Sequence, residues 1–118
     1  MEAGSIVDIV ERDNHAVLYP RGYLNGPLGE KIDSMCADLI HKGKNRILIN
    51  FSQTETMNTM GVASLVSILE KVARRKGEIC FSNVLSTNRQ ILDVLDISRA
   101  VLIFESEEDA SRHFQATM

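Results

Sequence analysis

Tryptophan is absent from the sequence, and proline and cysteine are scarce, with two residues of each in 118. The two cysteines, Cys36 and Cys80, lie far apart and form neither a CxxC motif nor a Cys/His ligand pattern. We therefore interpret both as small hydrophobic core residues and expect no disulfide and no metal site. Unpaired cysteines are typical of a reducing compartment, so we expect the protein to be cytoplasmic.

Segments that would direct the chain to nucleic acid or membranes are also missing. The longest basic block, at residues 74–76, has three residues, and the formal net charge is −3, so direct nucleic-acid binding is not expected. The N-terminus carries Glu2, Asp8 and Glu11 in place of the basic and apolar segments of a signal peptide. No apolar stretch is long enough to span a bilayer, which predicts no membrane insertion.

Catalytic and cofactor motifs are lacking as well. The glycines form neither GxGxxG nor a Walker loop, so no cofactor is expected. His15, His41 and His113 have no Ser, Cys or carboxylate at a catalytic spacing, and we predict that they lie on the surface. We expect no enzymatic activity. The alternative, acid–base catalysis by Glu55 or Asp93, has no nucleophile, metal or cofactor motif to support it.

The residues that are present are typical of one compact domain. Hydrophobic residues make up 44% and charged residues 25% of the sequence, so residues 1–118 are predicted to form a single domain. Two β-prone runs, at residues 6–10 and 16–19, flank a polar turn and predict a hairpin. Residues 21–27 contain two glycines and a proline and are predicted to form a turn.

Helical and extended patterns then alternate along the chain. After Pro27, apolar residues recur at the spacing of one helical face, at Leu28, Ile32, Met35 and Leu39. A nearly continuous apolar run at residues 47–51 predicts a central strand. A second helical stripe follows, formed by Val62, Leu65, Val66, Leu69, Val72 and Ala73.

The C-terminal part continues the alternation. Residues 79–81 predict a short strand, residues 87–90 a capping box that opens a helix, and residues 101–104 a final strand. Ser106 is expected to cap a last helix that ends near Phe114. The order of segments predicts an α/β fold, with a mainly parallel sheet of four or five strands and about four helices.

The segment at residues 52–60, between the central strand and the second helix, is the first candidate site, because ligands of open α/β sheets bind at the carboxyl ends of strands. Asn58 or Thr59 is expected to cap the helix, which contributes about 1 kcal/mol. Gly61 would allow another segment to approach closely. A hydroxyl at a helix N-terminus also suits a phosphate, because free N–H groups and the helix dipole favour negative charge. Local sequence leaves both capping alone and phosphorylation open.

Met57 and Met60 flank the entry to this helix. Methionine fills irregular gaps in cores, and on a surface its flexible side chain makes an adaptable docking patch. The sequence favours core positions for both residues and leaves the docking patch as the alternative.

The same segment resembles the signature of the STAS domain family, of the anti-sigma factor antagonist type. In that family an apolar strand and a short polar loop precede Asp-Ser-Ser/Thr-Gly and a leucine-rich helix. Here residues 47–51 precede Asn-Thr-Met-Gly at 58–61 and Val-Ala-Ser-Leu at 62–65. Residues 22–25, Gly-Tyr-Leu-Asn, resemble the family's Gly-x-Leu-Asp, and residues 89–97 resemble its third-helix segment. These matches together cover nearly the whole chain.

The resemblance implies a STAS-type fold and a partner-switching role in transcription regulation. Antagonists of this family bind a kinase-type anti-sigma factor and so free the sigma factor, and phosphorylation by that kinase releases them. Thr59 occupies the position of the phosphorylated serine. The implied partner-binding residues are Asn25, Met57, Asn58, Thr59, Met60 and Gly61. Asn25 and Asn58 stand where the family has Asp, so hydrogen bonding is retained while the acidic charge is lost.

An alternative within the same family is a STAS subunit that is not phosphorylated. Such a subunit would serve as a scaffold in a signalling assembly or as a soluble component of a membrane transport complex. Neighbouring genes for a sigma factor, serine kinase or phosphatase would favour the antagonist, and transporter genes would favour the alternative.

Overall fold

The structure, a computed structural model, describes residues 6–116. Its strands are β1 (Val7–Glu11), β2 (Ala16–Pro20), β3 (Gly22–Leu24), β4 (Arg46–Asn50), β5 (Thr54–Met57), β6 (Glu78–Ser82) and β7 (Leu102–Phe104). Its α-helices are α1 (Gly26–His41), α2 (Thr59–Arg74), α3 (Ser86–Val94) and α4 (Glu107–Ala116), with a single 3-10 turn at Ile97–Arg99. None of the helices between residues 6 and 116 is long and apolar enough to cross a membrane.

Five strands form the main sheet in the order β1-β2-β4-β6-β7. β1 and β2 pair antiparallel as the predicted hairpin, and the three remaining neighbours pair parallel. The sheet is therefore mixed, with its parallel part built from helix crossovers. The α/β class, the five strands, the four helices and the central place of β4 are confirmed.

A second, two-stranded sheet pairs β3 with β5 in parallel. Both strands lie where the sequence predicted irregular structure, β3 in the turn at residues 21–27 and β5 in the loop at residues 52–60. Those two predictions were wrong. Each strand has only three or four residues, which is too short to show an alternating pattern, and each is stabilised by pairing with a distant partner.

The main sheet separates two apolar clusters. On one face, alternate residues of β2, β4 and β6 pack with α1, α2 and α3, and Cys36 lies in this larger cluster. On the other face, the intervening strand residues pack with α4, and Cys80 lies in this smaller cluster. Both cysteines are buried and free, as expected for core residues.

The buried face of α2 differs from the predicted stripe. Ile68, which was not in that stripe, is 1% exposed, whereas Leu69 is only partly buried. Val66 and Ala73, which were in the stripe, are exposed. The helix buries Val62, Leu65, Ile68 and Val72, at steps of three and four, and it packs against α1.

Two further cap predictions have different outcomes. Leu85 is the N-cap of α3 and makes no side-chain cap hydrogen bond, so the capping box predicted at residues 87–90 is wrong. The prediction for α4 is confirmed, because the Ser106 hydroxyl accepts a hydrogen bond from the Asp109 N–H at 3.1 Å. Acidic residues occupy the first turn of α4, where the helix dipole favours them.

Candidate functional site

β5 is held firmly in place beside the candidate site. The buried Thr54 hydroxyl donates to the Pro20 carbonyl oxygen at 2.8 Å, and the Gly22 N–H donates to the Gln53 carbonyl oxygen at 2.8 Å. Asn88 of α3, which is also buried, donates through its side-chain amide to the Thr54 carbonyl oxygen at 3.0 Å. Buried hydrogen bonds of this kind fix the geometry of a segment. β5, which lies in the segment predicted as a loop, is therefore a rigid support for the start of α2.

Two asparagines cap the helices that begin at this edge of the molecule. Asn25 Oδ1 accepts a hydrogen bond from the Leu28 N–H at 3.0 Å at the start of α1. Asn58 Oδ1 accepts one from the Gly61 N–H at 2.9 Å at the start of α2. The cap of α2 is therefore Asn58, and Thr59 is the first helical residue. The cap thus leaves the Thr59 hydroxyl without a capping role.

The two helix N-termini lie side by side. The Asn58 N–H donates to the Leu24 carbonyl oxygen at 3.0 Å. A Cβ atom on Gly61 would lie 2.2 Å from that same oxygen, and one on Gly29 would lie 2.6 Å from the Ser64 Cβ. Only glycine permits such approaches, so the close approach expected at Gly61 is present.

The predicted partner-binding residues divide into exposed and covered groups. Met60 is 64% exposed, and Thr59 is exposed beside it. Asn25 and Asn58 are partly exposed. Gly61 is buried against the Leu24 backbone, so it shapes the surface without offering a side chain.

Met57 requires a correction. It is 7% exposed and belongs to the larger apolar cluster, so its side chain does not lie on the surface that a partner would contact. Met57 is paired in register with Leu24, and both side chains of this pair point into the core. The core alternative holds for Met57, and the surface alternative holds for Met60.

Tyr23 is an exposed residue of this region that sequence reasoning missed. It lies on β3 two positions before Asn25, and 48% of its surface is exposed. Side chains alternate along a strand, so the burial of Leu24 places Tyr23 on the opposite side. The Tyr-Leu pair carries this signal, but the glycines and the proline around it predict a turn. The helix-entry surface consists of Thr59, Met60, Tyr23 and the two caps, Asn25 and Asn58.

The helix-entry surface is uncharged at its helix ends. Neither α1 nor α2 has an acidic residue in its first turn, and both caps are neutral amides. The partial positive charges of the two N-termini are therefore not offset by carboxylates within those turns. An exposed hydroxyl here is placed where added negative charge is electrostatically favoured.

A polar cluster at the carboxyl ends of β2 and β4 ties α4 to the sheet. The Tyr19 hydroxyl donates to the Glu107 carboxylate at 2.9 Å, and the Asn50 amide donates to the same carboxylate at 2.9 Å. Burial, followed by the Glu107 carboxylate, raises the pKa of Tyr19 to about 12. Tyr19 therefore stays protonated and acts as a hydrogen-bond donor.

The candidates for acid–base catalysis are not brought together. Glu55 is exposed on β5, and Asp93 is an exposed residue of α3 whose pKa is lowered by hydrogen bonds from Ser98 and Arg89. An open cleft of about 870 Å³ lies elsewhere, between the hairpin turn and α4.

The histidine prediction holds only in part. His41 is exposed, but His15 is 3% exposed and packs against Phe114 with ring centroids 5.0 Å apart. Burial lowers the pKa of His15, and the Arg12 guanidinium acts in the same direction. The surface prediction for His15 is wrong, because α4 covers the start of β2. His113 is partly buried between α4 and the sheet.

Comparisons with known proteins agree with this fold. The family model of the STAS domain matches residues 7–110. A Thermotoga maritima protein described as a candidate anti-sigma factor antagonist has a solved structure that is 19% identical, with a TM-score of 0.85, and the match covers 92% of this chain and 94% of that one.

Two further solved structures with a similar fold come from an anti-sigma factor antagonist and a transporter family protein. The anti-sigma factor antagonist SpoIIAA of Bacillus, in its unphosphorylated form, is 16% identical with a TM-score of 0.74, and the match covers 96% of this chain and all of that one. A sulfate transporter family protein from Wolinella succinogenes is 13% identical with a TM-score of 0.81, over 91% of this chain and 89% of that one. No curated protein matches the sequence significantly.

Proposed function

This chain belongs to the STAS domain family, and from that premise we propose that it is a binding module of the anti-sigma factor antagonist type. Its partner would be an anti-sigma factor with serine-kinase character, and the chain itself would carry out no catalysis. This role would place the chain in the cytoplasm with that partner.

The observation that carries the proposal is the exposure of Met60 on a rigid support. Met60 stands 64% exposed directly after the Asn58 cap, and the backbone beneath it is packed against Leu24. The fixed backbone loses little further entropy on binding, and the exposed apolar side chain offers surface that a partner can bury, which makes Met60 a suitable anchor. Tyr23 supplies a second exposed side chain that is apolar along its body and polar at its tip.

Thr59 is the proposed control point. Its exposed hydroxyl is accessible to a kinase, and the two neutral caps leave the nearby helix ends able to tolerate a phosphate. A phosphate adds a charge of about −1.5 to −2, which a partner surface shaped for a neutral hydroxyl would have to desolvate. SpoIIAA has been solved in phosphorylated as well as unphosphorylated form. Phosphorylation of Thr59 would thus release the partner while the fold persists.

The direct test is binding of charge-altered variants to purified candidate partners. Each anti-sigma factor and serine kinase encoded in the source genome is titrated by calorimetry against the wild type, Met60→Asp and Val94→Asp. Val94 is the matched control, because it is 82% exposed but lies on α3. Met60→Asp should weaken binding about tenfold or more, because the new carboxylate must be desolvated at the contact.

Val94→Asp should leave both affinity and melting temperature near the wild-type values. Equal weakening by both substitutions would argue against a contact at the helix-entry surface. Unchanged affinity of Met60→Asp for a partner that binds the wild type would move the interface elsewhere.

A second candidate function is a STAS component of a transport complex. The similarity to a sulfate transporter family protein favours it, since that match covers most of both chains. Transporter genes beside this gene, together with no binding to any anti-sigma factor or serine kinase, would support this alternative.

A further inference from the structure

Three side chains that can bind metal meet between β6 and α4. Glu78 and Cys80 are two residues apart on β6 and so point to the same face of the sheet. His113 reaches them from α4, and one ligand atom of each residue lies within 4.8 Å of the other two. We propose that Glu78, Cys80 and His113 bind one zinc ion.

The geometry limits the movement that binding requires. His113 Nε2 and Glu78 Oε2 already form a hydrogen bond, and the Phe104 ring packs against the His113 ring with centroids 5.4 Å apart. Zinc binds these ligand types at about 2.0 to 2.3 Å, which places tetrahedral ligand atoms roughly 3 to 4 Å from one another. The observed spread needs only small side-chain adjustments to reach that arrangement.

The ligand chemistry matches zinc in type and in charge. Thiolate, imidazole and carboxylate are the three ligand classes that zinc uses in proteins. Binding would release the Cys80 thiol proton to solvent and would move the proton of the His113–Glu78 hydrogen bond to His113 Nδ1 or to solvent, so the thiolate and the Glu78 carboxylate together balance the 2+ charge. Water would take the fourth position.

The burial of the cluster is graded from core to solvent. Cys80 is fully buried in the smaller apolar cluster, whereas the Glu78 and His113 side chains are partly exposed. An ion could therefore enter past the carboxylate and imidazole and meet the thiol at the inner end. No other group of three such residues lies this close within residues 6–116.

The site is independent of the proposed function. Glu78 begins β6 at the amino edge of the parallel strands, while α2 begins beyond the carboxyl end of β4. Sequence spacing could not indicate the site, because its third ligand comes from a distant helix. The competing interpretation is a Glu–His ion pair above an inert core cysteine, and it predicts no metal–sulfur bond.

Cobalt(II) is the probe, because it replaces zinc and gives a thiolate-to-metal charge-transfer absorption band. The full chain is titrated with cobalt chloride as wild type, Cys80→Ser and Cys36→Ser. Cys36 is the matched control, since it is the other buried cysteine and lies on α1. The wild type and Cys36→Ser should bind one cobalt ion with the band, and Cys80→Ser should show none.

Zinc should displace the cobalt and raise the melting temperature of the wild type, because it binds the folded state alone. His113→Gln should weaken cobalt binding at least about tenfold. Circular dichroism confirms that each variant is folded before titration. No charge-transfer band in the folded wild type, or a band that persists in Cys80→Ser, would overturn the proposal, whatever the outcome of the partner-binding experiments.

Discussion

Gly61 lies so close to Leu24 that a Cβ atom on the glycine would meet the Leu24 carbonyl oxygen at 2.2 Å. This oxygen also accepts the hydrogen bond of the Asn58 N–H, so it cannot move away from an added Cβ without weakening that bond. Gly61→Ala should therefore displace α2 from β3 and lower the free energy of unfolding by about 1 to 3 kcal/mol. Urea unfolding measures the loss.

Gly26→Ala is the control for this substitution. A Cβ there would lie 3.5 Å from the Met60 Cβ, an ordinary van der Waals distance. Crowding of the new Cβ against the ring of Pro27 adds a small cost, so we expect a loss of at most about 1 kcal/mol for that variant. A similar loss in both variants would mean that the cost comes from helix N-termini in general and that the Leu24 contact is not its source.

The cap at Asn58 can be altered in charge while its hydrogen bond is kept. Asn58→Asp retains an oxygen acceptor for the Gly61 N–H and adds negative charge at the positive end of α2. The free energy of unfolding should rise by about 0.3 to 1 kcal/mol at neutral pH, whereas Asn58→Ala should lose about 1 kcal/mol. Chemical denaturation of the two variants compares these effects. A loss in Asn58→Asp would contradict the uncharged environment described for the helix ends.

Phosphorylation of Thr59 is tested with the kinase that binds the wild type. Incubation with ATP followed by mass spectrometry should place one phosphate on Thr59 and none on the Thr59→Val variant. Asn58→Asp provides the comparison, because it restores the acidic residue typical of the family at that position. If only Asn58→Asp is modified, the asparagine has removed the switch from this protein.

Asn88 stabilises the segment that supports the helix-entry surface. Its buried amide donates to the Thr54 carbonyl oxygen, so Asn88→Ala leaves that oxygen without this partner. The expected loss is about 1 to 3 kcal/mol. Gln90→Ala on the exposed side of the same helix should change stability by less than about 0.5 kcal/mol. Hydrogen exchange at β5 should accelerate in the first variant alone.

Alkaline pH should weaken the fold through Tyr19. Its pKa rises from 10.0 to about 12 on folding, chiefly by burial, so the folded state favours the neutral phenol. The contribution is complete below pH 10 and is lost as the pH rises towards 12. Unfolding free energies across this window should fall less steeply for Tyr19→Phe than for the wild type. Parallel curves would show that other groups cause the decline.

Long apolar patterns predicted most of the fold. The continuous run at residues 47–51 identified the central strand, and Ser106 identified the start of α4. The buried face of α2 was predicted only in part, because Ile68 and Leu69 are adjacent and both apolar, and Ile68 is the one that is fully buried. The periodicity of apolar residues alone does not distinguish these two adjacent positions.

The local geometry at the start of α2 was predicted in part, and the role of its residues as a site stays a prediction. The caps and the glycine contact follow from residue type at the start of α2. Met57 is buried and Met60 is exposed, and this difference depends on β5, which forms by pairing with β3. The burial of His15 and the cluster at Cys80 likewise depend on where α4 packs against the sheet. Local sequence does not indicate that position.

The hairpin of β1 and β2 is the one strand pairing within residues 6–116 whose two strands are joined by a short turn alone. Hairpins form within about 1 to 10 microseconds, whereas pairings between distant strands must first close long loops. β4 gains both of its neighbours only after α1 and α2 have crossed the sheet. We therefore expect the hairpin to form early and the docking of β4 to limit the refolding rate.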